Sequence, residues 1–207
     1  MKKKRKIAVV TGGAGFIGSH MVDLLIKKDF KVNVIDNFSG GHKRNLSHHK
    51  KNVNLKIIDQ DICKIKKNNK FFKKAEFVFH FAGIGDIVPS IQNPLNYMDT
   101  NIQGTARVLE ASRYSKVKKF VYAASSSCYG ITKSITSENH RIDPLYPYAF
   151  SKYLGEQTVL HWSKVYGLKC NIIRIFNAYG TRVRTTGAYG AVFGVFLKQK
   201  LKNKPLT

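Results

Sequence analysis

Acidic residues are scarce in this chain. Asp and Glu number 12 against 36 Lys and Arg, leaving a formal net charge of +24 over 207 residues. So few carboxylates cannot neutralise the cationic surface, and such a field draws nucleic acid or an anionic membrane. The basic residues gather in stretches 2–6, 41–51 and 64–74, which read as solvent-facing, and no interleaving of Arg with aromatics of the base-stacking kind accompanies them. A solvated surface is therefore the preferred reading, with a nucleic-acid partner as its competitor. Cysteine is equally sparse. Cys63, Cys128 and Cys170 are isolated and odd in number, which excludes a disulfide framework and a cysteine metal site and suits a reducing compartment. No apolar run approaches the ~20 residues of a membrane span. The opening MKKKRK followed by IAVV imitates a signal peptide, but the apolar run breaks after four residues. The basic stretch also resembles a nuclear localisation signal, and a solvated lead-in to the first strand is the preferred reading. The expectation is a soluble cytoplasmic protein with no membrane partner and no bound metal.

What is present is enough for a core: 43% of the residues are hydrophobic and 12% aromatic. The length suits one domain, or one domain and part of another. Strand-like apolar runs at 7–10, 32–35, 53–58, 77–81, 120–124 and 171–176 alternate with helical patterns at 16–28, 94–114, 148–166 and 190–202. Alternation of this kind implies right-handed βαβ crossovers and a parallel sheet. The strands are apolar throughout rather than on alternate positions, as expected when both faces are covered. The fold class expected is α/β, a doubly wound parallel sheet.

Gly12, Gly15 and Gly18 follow the first strand and open the first helix, spaced GxxGxxG, one residue from the dinucleotide fingerprint. Gly12 suits a tight turn, Gly15 the approach of a pyrophosphate to helix N-terminal N–H groups, and Gly18 close packing of helix on strand. Asp36 closes the second strand, where a carboxylate would bond the adenosine ribose hydroxyls and repel a 2′-phosphate, favouring NAD over NADP. An Asx-turn with Asn37 is the structural alternative for Asp36. Asp61, after the third strand, reads either as an adenine contact or as an ordinary loop carboxylate.

Tyr148 and Lys152 lie four apart at the start of a helix and share a face. An ammonium beside a phenol stabilises phenolate, lowering the tyrosine pKa toward that of a working general base. Ser125 ends the fifth strand, at the edge where open α/β sheets bind ligands, and could bond both a substrate oxygen and Tyr148. Four-residue spacing alone would mean little. The order of glycine turn, ribose carboxylate, strand-end serine and Tyr/Lys helix carries the reading.

With these blocks in hand the chain resembles the extended short-chain dehydrogenases, the NAD-dependent sugar epimerase/dehydratase family, and within it the UDP-glucose (UDP-galactose) 4-epimerases. The matching segments include TGGAGFIGSH at 11–20, DNFSGG at 36–41, HFAG at 80–83, YAASSSCYG at 122–130, YPYAFSKYLGEQ at 146–157 and RIFNAYGTR at 174–182. The resemblance implies a Rossmann-like NAD-binding domain over 1–180 and the start of a substrate-binding lobe over 181–207, the lobe being largely absent because family members continue well past this point. It adds Phe16, Ile17, Asn37, Ile62, Phe81, Ala82 and Gly83 to the cofactor site. Asn177 and Arg182, with Arg184 as an alternative, would contact a substrate diphosphate. It further implies a UDP-hexose substrate, a homodimer through the helices near 94–114 and 148–166, and epimerisation by transient oxidation at C4. Related dehydratases and decarboxylases carry acidic residues just after the catalytic Ser/Thr, where this chain has Ser126 and Ser127. It departs from the 4-epimerase pattern at Ile84-Gly85-Asp86, where a Lys is frequent.

Overall fold

A computed structural model describes residues 5–183 and 192–206. Six strands form one sheet: β1 (Ile7–Thr11), β2 (Lys31–Asp36), β3 (Leu55–Asp59), β4 (Phe77–His80), β5 (Lys119–Ser125) and β6 (Cys170–Ile175). Every neighbouring pair is parallel and the spatial order is β3-β2-β1-β4-β5-β6. This is the doubly wound order, with the reversal between β1 and β4 opening a crevice at the carboxyl ends of the strands.

The apolar strands serve two cores. Ala8 and Val10 pack with Val32, Val34 and the helix α1 (Phe16–Lys27), through Val22 and Leu25. Val9 points the other way and joins Val78, Phe120 and Tyr122. That side is closed by α4 (Thr105–Tyr114), through Val108, Leu109 and Ala111, and by α5 (Pro147–Tyr166), through Val159. Alternate residues of a strand face opposite sides, so covering both faces requires every position to be apolar.

Two expected elements differ. The third strand begins at Leu55 rather than Val53, which is 94% exposed, because Asn52 turns the chain by accepting from the Asn54 N–H. The single helix expected over 94–114 is preceded by α2 (Ile87–Gln92) and divides into α3 (Pro94–Met98), a π-helical turn (Asp99–Gly104) and α4. Such wide turns interrupt an α-helix most often at functional positions. Here the turn carries Asn101 inward. Helix α5 starts with Pro147 at its first position and ends at Gly167 in the left-handed conformation, the usual asymmetry of Pro before and Gly after a helix. The final helix, α6, spans Val192–Leu201; positions 190–191 of the expected helix lie outside the described residues.

The turn between β1 and α1 has no spare volume. A Cβ on Gly12, whose φ is +67°, would stand 2.6 Å from the Ala82 nitrogen, and one on Gly18 would stand 2.1 Å from the Gly12 carbonyl oxygen. Gly18→Ala is expected to cost about 3 kcal/mol by overpacking against backbone that cannot yield, read as a lowered urea midpoint at unchanged slope. An unchanged midpoint would show that helix and turn do not touch as described.

Candidate active site

At the crevice the first turn of α1 is left without a side-chain cap. Its leading N–H groups, at Phe16 and Ile17, belong to the set that has no intrahelical acceptor and favours an anion. Asp36 stands beside this turn. Its Oδ2 accepts from the Ala14 N–H and its Oδ1 from the Phe38 N–H, both at 2.8 Å. The Asx-turn thus exists, to Phe38 rather than Asn37, and the same carboxylate also braces the glycine turn. Burial raises its pKa, the two N–H donors opposing that shift. A carboxylate has about four acceptor sites, so two bonds leave capacity for ribose hydroxyls.

Asn37 and Asp61 line an open cavity of about 590 Å³ together with Asp59, Gln60 and Lys64. Asp61 accepts from the Cys63 N–H, and Asn37 Nδ2 reaches its other oxygen at 3.4 Å. Ile62 is buried beneath them. These residues and the uncapped turn fit a dinucleotide: an anion-binding helix end, a carboxylate at the end of β2 and a recess beyond it.

Phe81, Ala82 and Gly83 leave β4 on the other side of the crevice, held by a buried polar chain not foreseen from the sequence. The Ala82 N–H reaches Thr11 Oγ1 at 3.4 Å, Thr11 Oγ1 lies 2.5 Å from His80 Nδ1, and His80 Nε2 lies 2.9 Å from Thr105 Oγ1. Thr105 Oγ1 donates to the Asn101 carbonyl at 2.7 Å. That donor direction makes Thr105 the acceptor from His80, so the imidazole carries its proton on Nε2 and accepts the Thr11 hydroxyl on Nδ1. Asn101 then clamps Ile84, accepting from its N–H at 2.8 Å and donating to its carbonyl at 3.1 Å, and also donates to Ser151 at 2.9 Å. A polar residue ending the run FVFH and the i, i+4 pair Asn101/Thr105 were the available sequence signals.

Ser125, Tyr148 and Lys152 come together as expected. Tyr148 donates to Ser125 Oγ at 3.3 Å, and Ser125 in turn donates to Ser127 Oγ at 3.1 Å. Lys152 Nζ donates to the Ala123 carbonyl at 2.5 Å, sits 4.5 Å from the Tyr122 ring centroid, and lies 3.7 Å from where a Gly83 Cβ would be. The phenol differs from expectation. Burial raises the Tyr148 pKa, with only the Ser125 bond opposing it and the charge of Asp86 adding to it. The ammonium faces Ala123 and Tyr122 instead of the phenol oxygen, and its own pKa is pushed down to about 8 by burial.

The two diphosphate contacts expected after β6 fare differently. Asn177 is exposed just beyond the strand. Arg182 pairs through Nη2 with Asp23 of α1 at 2.8 Å, while its Nη1 is buried without a hydrogen-bond partner. Arg184 lies outside the described residues. A further pair supports the scaffold from below: Arg174 of β6 holds Glu156 of α5 in a two-pronged contact at 2.9 and 2.6 Å.

A Rossmann sheet with this Ser–Tyr–Lys crevice defines the short-chain dehydrogenase type, and the chain belongs to the NAD dependent epimerase/dehydratase family, whose profile matches residues 8–207. It is 39% identical over 198 residues to a putative UDP-glucose 4-epimerase of Methanocaldococcus jannaschii, covering 95% of this chain and 63% of that protein. It is 32% identical to a UDP-N-acetyl-alpha-D-glucosaminuronate decarboxylase of Bacillus cytotoxicus, covering 98% and 63%. Among solved structures it resembles the UDP-N-acetylglucosamine 4-epimerase of Methanobrevibacter ruminantium M1, in complex with UDP-N-acetylmuramic acid, with TM-score 0.92, 35% identity, and 98% and 64% coverage. The chain therefore spans under two thirds of the length of these relatives.

Burial holds His80 neutral, its pKa pushed down to about 3, with the charge of Lys152 adding to the effect. Once unfolded, the imidazole titrates near 6.5. Between these values the unfolded chain binds the extra proton, so stability falls as pH drops from about 6.5 toward 3. Urea midpoints measured across that window should decline less steeply in His80→Gln than in the wild type; equal slopes would contradict the buried neutral imidazole.

Proposed function

We propose that this chain carries the cofactor-binding and catalytic portion of a nucleotide-sugar 4-epimerase acting on a UDP-hexose. The observation that supports it most is the Tyr148–Ser125 hydrogen bond with Lys152 buried nearby, at the carboxyl edge of the sheet beside Gly83. Phe16 and Ile17 at the head of α1 would hold the pyrophosphate of NAD, Asp36 the adenosine ribose, Asn37, Asp61 and Ile62 the adenine side, and Phe81 to Gly83 with Lys152 the nicotinamide side. Bound there, NAD supplies a hydride acceptor that returns the same hydride, so no external oxidant is consumed.

The protein's part is proton transfer and orientation. Tyr148, once ionised to phenolate, would take the proton of the sugar 4-hydroxyl and later give it back to the 4-keto oxygen, while Ser125 holds that oxygen in place. In the ligand-free arrangement the phenol is too weak an acid for this task. The positive charge of Lys152, turned from Ala123 toward the phenol, lowers it. Ser126 and Ser127 provide no carboxyl group beside the reacting carbon, which favours epimerisation over elimination or decarboxylation. Asn177 and Arg182 would contact the substrate diphosphate, Arg182 through the Nη1 that Asp23 leaves unpaired.

Tyr148→Phe should retain NAD, seen by mass spectrometry of the denatured protein, while interconversion of UDP-glucose and UDP-galactose falls at least about a hundredfold. Full activity in that variant would remove Tyr148 from the mechanism, and a mass change in the nucleotide sugar would indicate a dehydratase or decarboxylase instead.

A homodimer through the helical face is part of the same reading. An apolar groove of about 580 Å³ runs along α5 beside the π-helical turn, lined by Ile102, Leu154, Leu160 and Trp162. Leu160 is 47% exposed and Val165 53%, more apolar surface than a solvent-facing helix needs. Sedimentation should show a dimer that Leu160→Lys converts to monomer. A monomeric wild type would remove the dimer from the account. No described helix is long and apolar enough to cross a membrane.

A further inference from the structure

A second cluster of chemistry-bearing side chains lies outside the crevice, where three segments distant in sequence meet. Asp23 projects from α1. His48 and His49 close the short 3-10 turn spanning Lys43–His49, and Arg182 comes from the segment after β6. Both imidazoles direct Nε2 at one carboxylate oxygen: His48 and His49 each lie 2.8 Å from Asp23 Oδ1, while Arg182 holds Oδ2 at 2.8 Å. One ligand atom from each of Asp23, His48 and His49 falls within 4.8 Å of the others.

We propose that Asp23, His48 and His49 form a binding site for a transition-metal dication of the zinc type. Two nitrogens and one oxygen are the donor set that suits zinc, cobalt or nickel, whereas magnesium and calcium require oxygen ligands. Bonds of about 2.0–2.2 Å to such an ion place tetrahedral donors about 3.3 Å apart. The present 2.8 Å contacts must therefore open by about half an ångström, a small rotation for side chains on the surface. Each imidazole must also present an unprotonated Nε2 to the ion, so metal competes with any proton shared with Asp23.

The surroundings fit an open three-ligand site. The side chains of His48 and Asp23 are 45% and 30% exposed, giving an entry path and room for water in the fourth position. His49 is 15% exposed and supplies the anchored ligand. Arg182 on the second carboxylate oxygen orients Asp23, as partners of ligating carboxylates commonly do. The nearby guanidinium and the lysines of the 41–51 stretch oppose a dication, so affinity is moderate. Bound metal would tie α1 to the 3-10 turn. None of the ligands belongs to the crevice, so the site is independent of the nucleotide-sugar reading.

The test uses the tag-free chain and zinc alone. Competition with a chromogenic chelator should show one equivalent that His48→Ala/His49→Ala weakens by about tenfold or more. Cobalt absorption should report nitrogen and oxygen donors rather than thiolate, separating this site from Cys63 and Cys170. The milder His49→Gln, with native circular dichroism, should also weaken that equivalent. Wild type and double variant binding the same amount of zinc with the same affinity, or a thiolate spectrum, would overturn the site.

Discussion

The loop that leaves β4 is positioned by buried hydrogen bonds running from the Ala82 N–H through Thr11, His80 and Thr105 to Asn101. Each donor finds an acceptor, as a buried polar chain must if it is not to cost more than an apolar core. The consequence is geometric. The ends of β1 and β4, the π-helical turn and the first turn of α5 are locked together around Ile84 and Ser151. Both walls of the crevice, the glycine turn and the Phe81–Gly83 strip, take their separation from this lock: Gly12 meets Ala82 so closely that no side chain fits between them.

The chemical groups are set at the rim of that lock under opposing demands. Burial pushes the Lys152 ammonium down to about 8 and the Tyr148 phenol up. Both shifts disfavour the ionic pair that proton abstraction requires. The resting arrangement therefore stores Lys152 against Ala123 and Tyr122, with the phenol hydrogen-bonded to Ser125. The ionic pair would need Lys152 to turn from Ala123 toward the phenol, so that its charge offsets the burial of Tyr148. The three side chains are already together in the ligand-free arrangement.

The alternation of strands and helices, the glycine turn and the Ser–Tyr–Lys arrangement were legible because each rests on local spacing: three glycines after an apolar run, a carboxylate at the next strand end, Tyr and Lys one turn apart. The His80 chain was not. It joins positions 11, 80, 101 and 105, whose pairing depends on β1 lying beside β4 and on a π-helical turn, and helical periodicity cannot distinguish that turn from ordinary α-helix. The phenol's raised pKa was hidden for a related reason: spacing places Lys152 on the right face but does not say that Ala123 and Tyr122 claim its ammonium. The Arg182–Asp23 pair was not legible either, because the two residues lie far apart in sequence and meet only after folding.

The central claim is that Tyr148 and its neighbours serve a reversible oxidation at C4 in which one hydride leaves and returns. Supplying UDP-galactose deuterated at C4 tests it most directly. The UDP-glucose formed should keep the deuterium at C4, with none appearing in the solvent. Loss of the label to water, or a product altered elsewhere on the sugar, would contradict it.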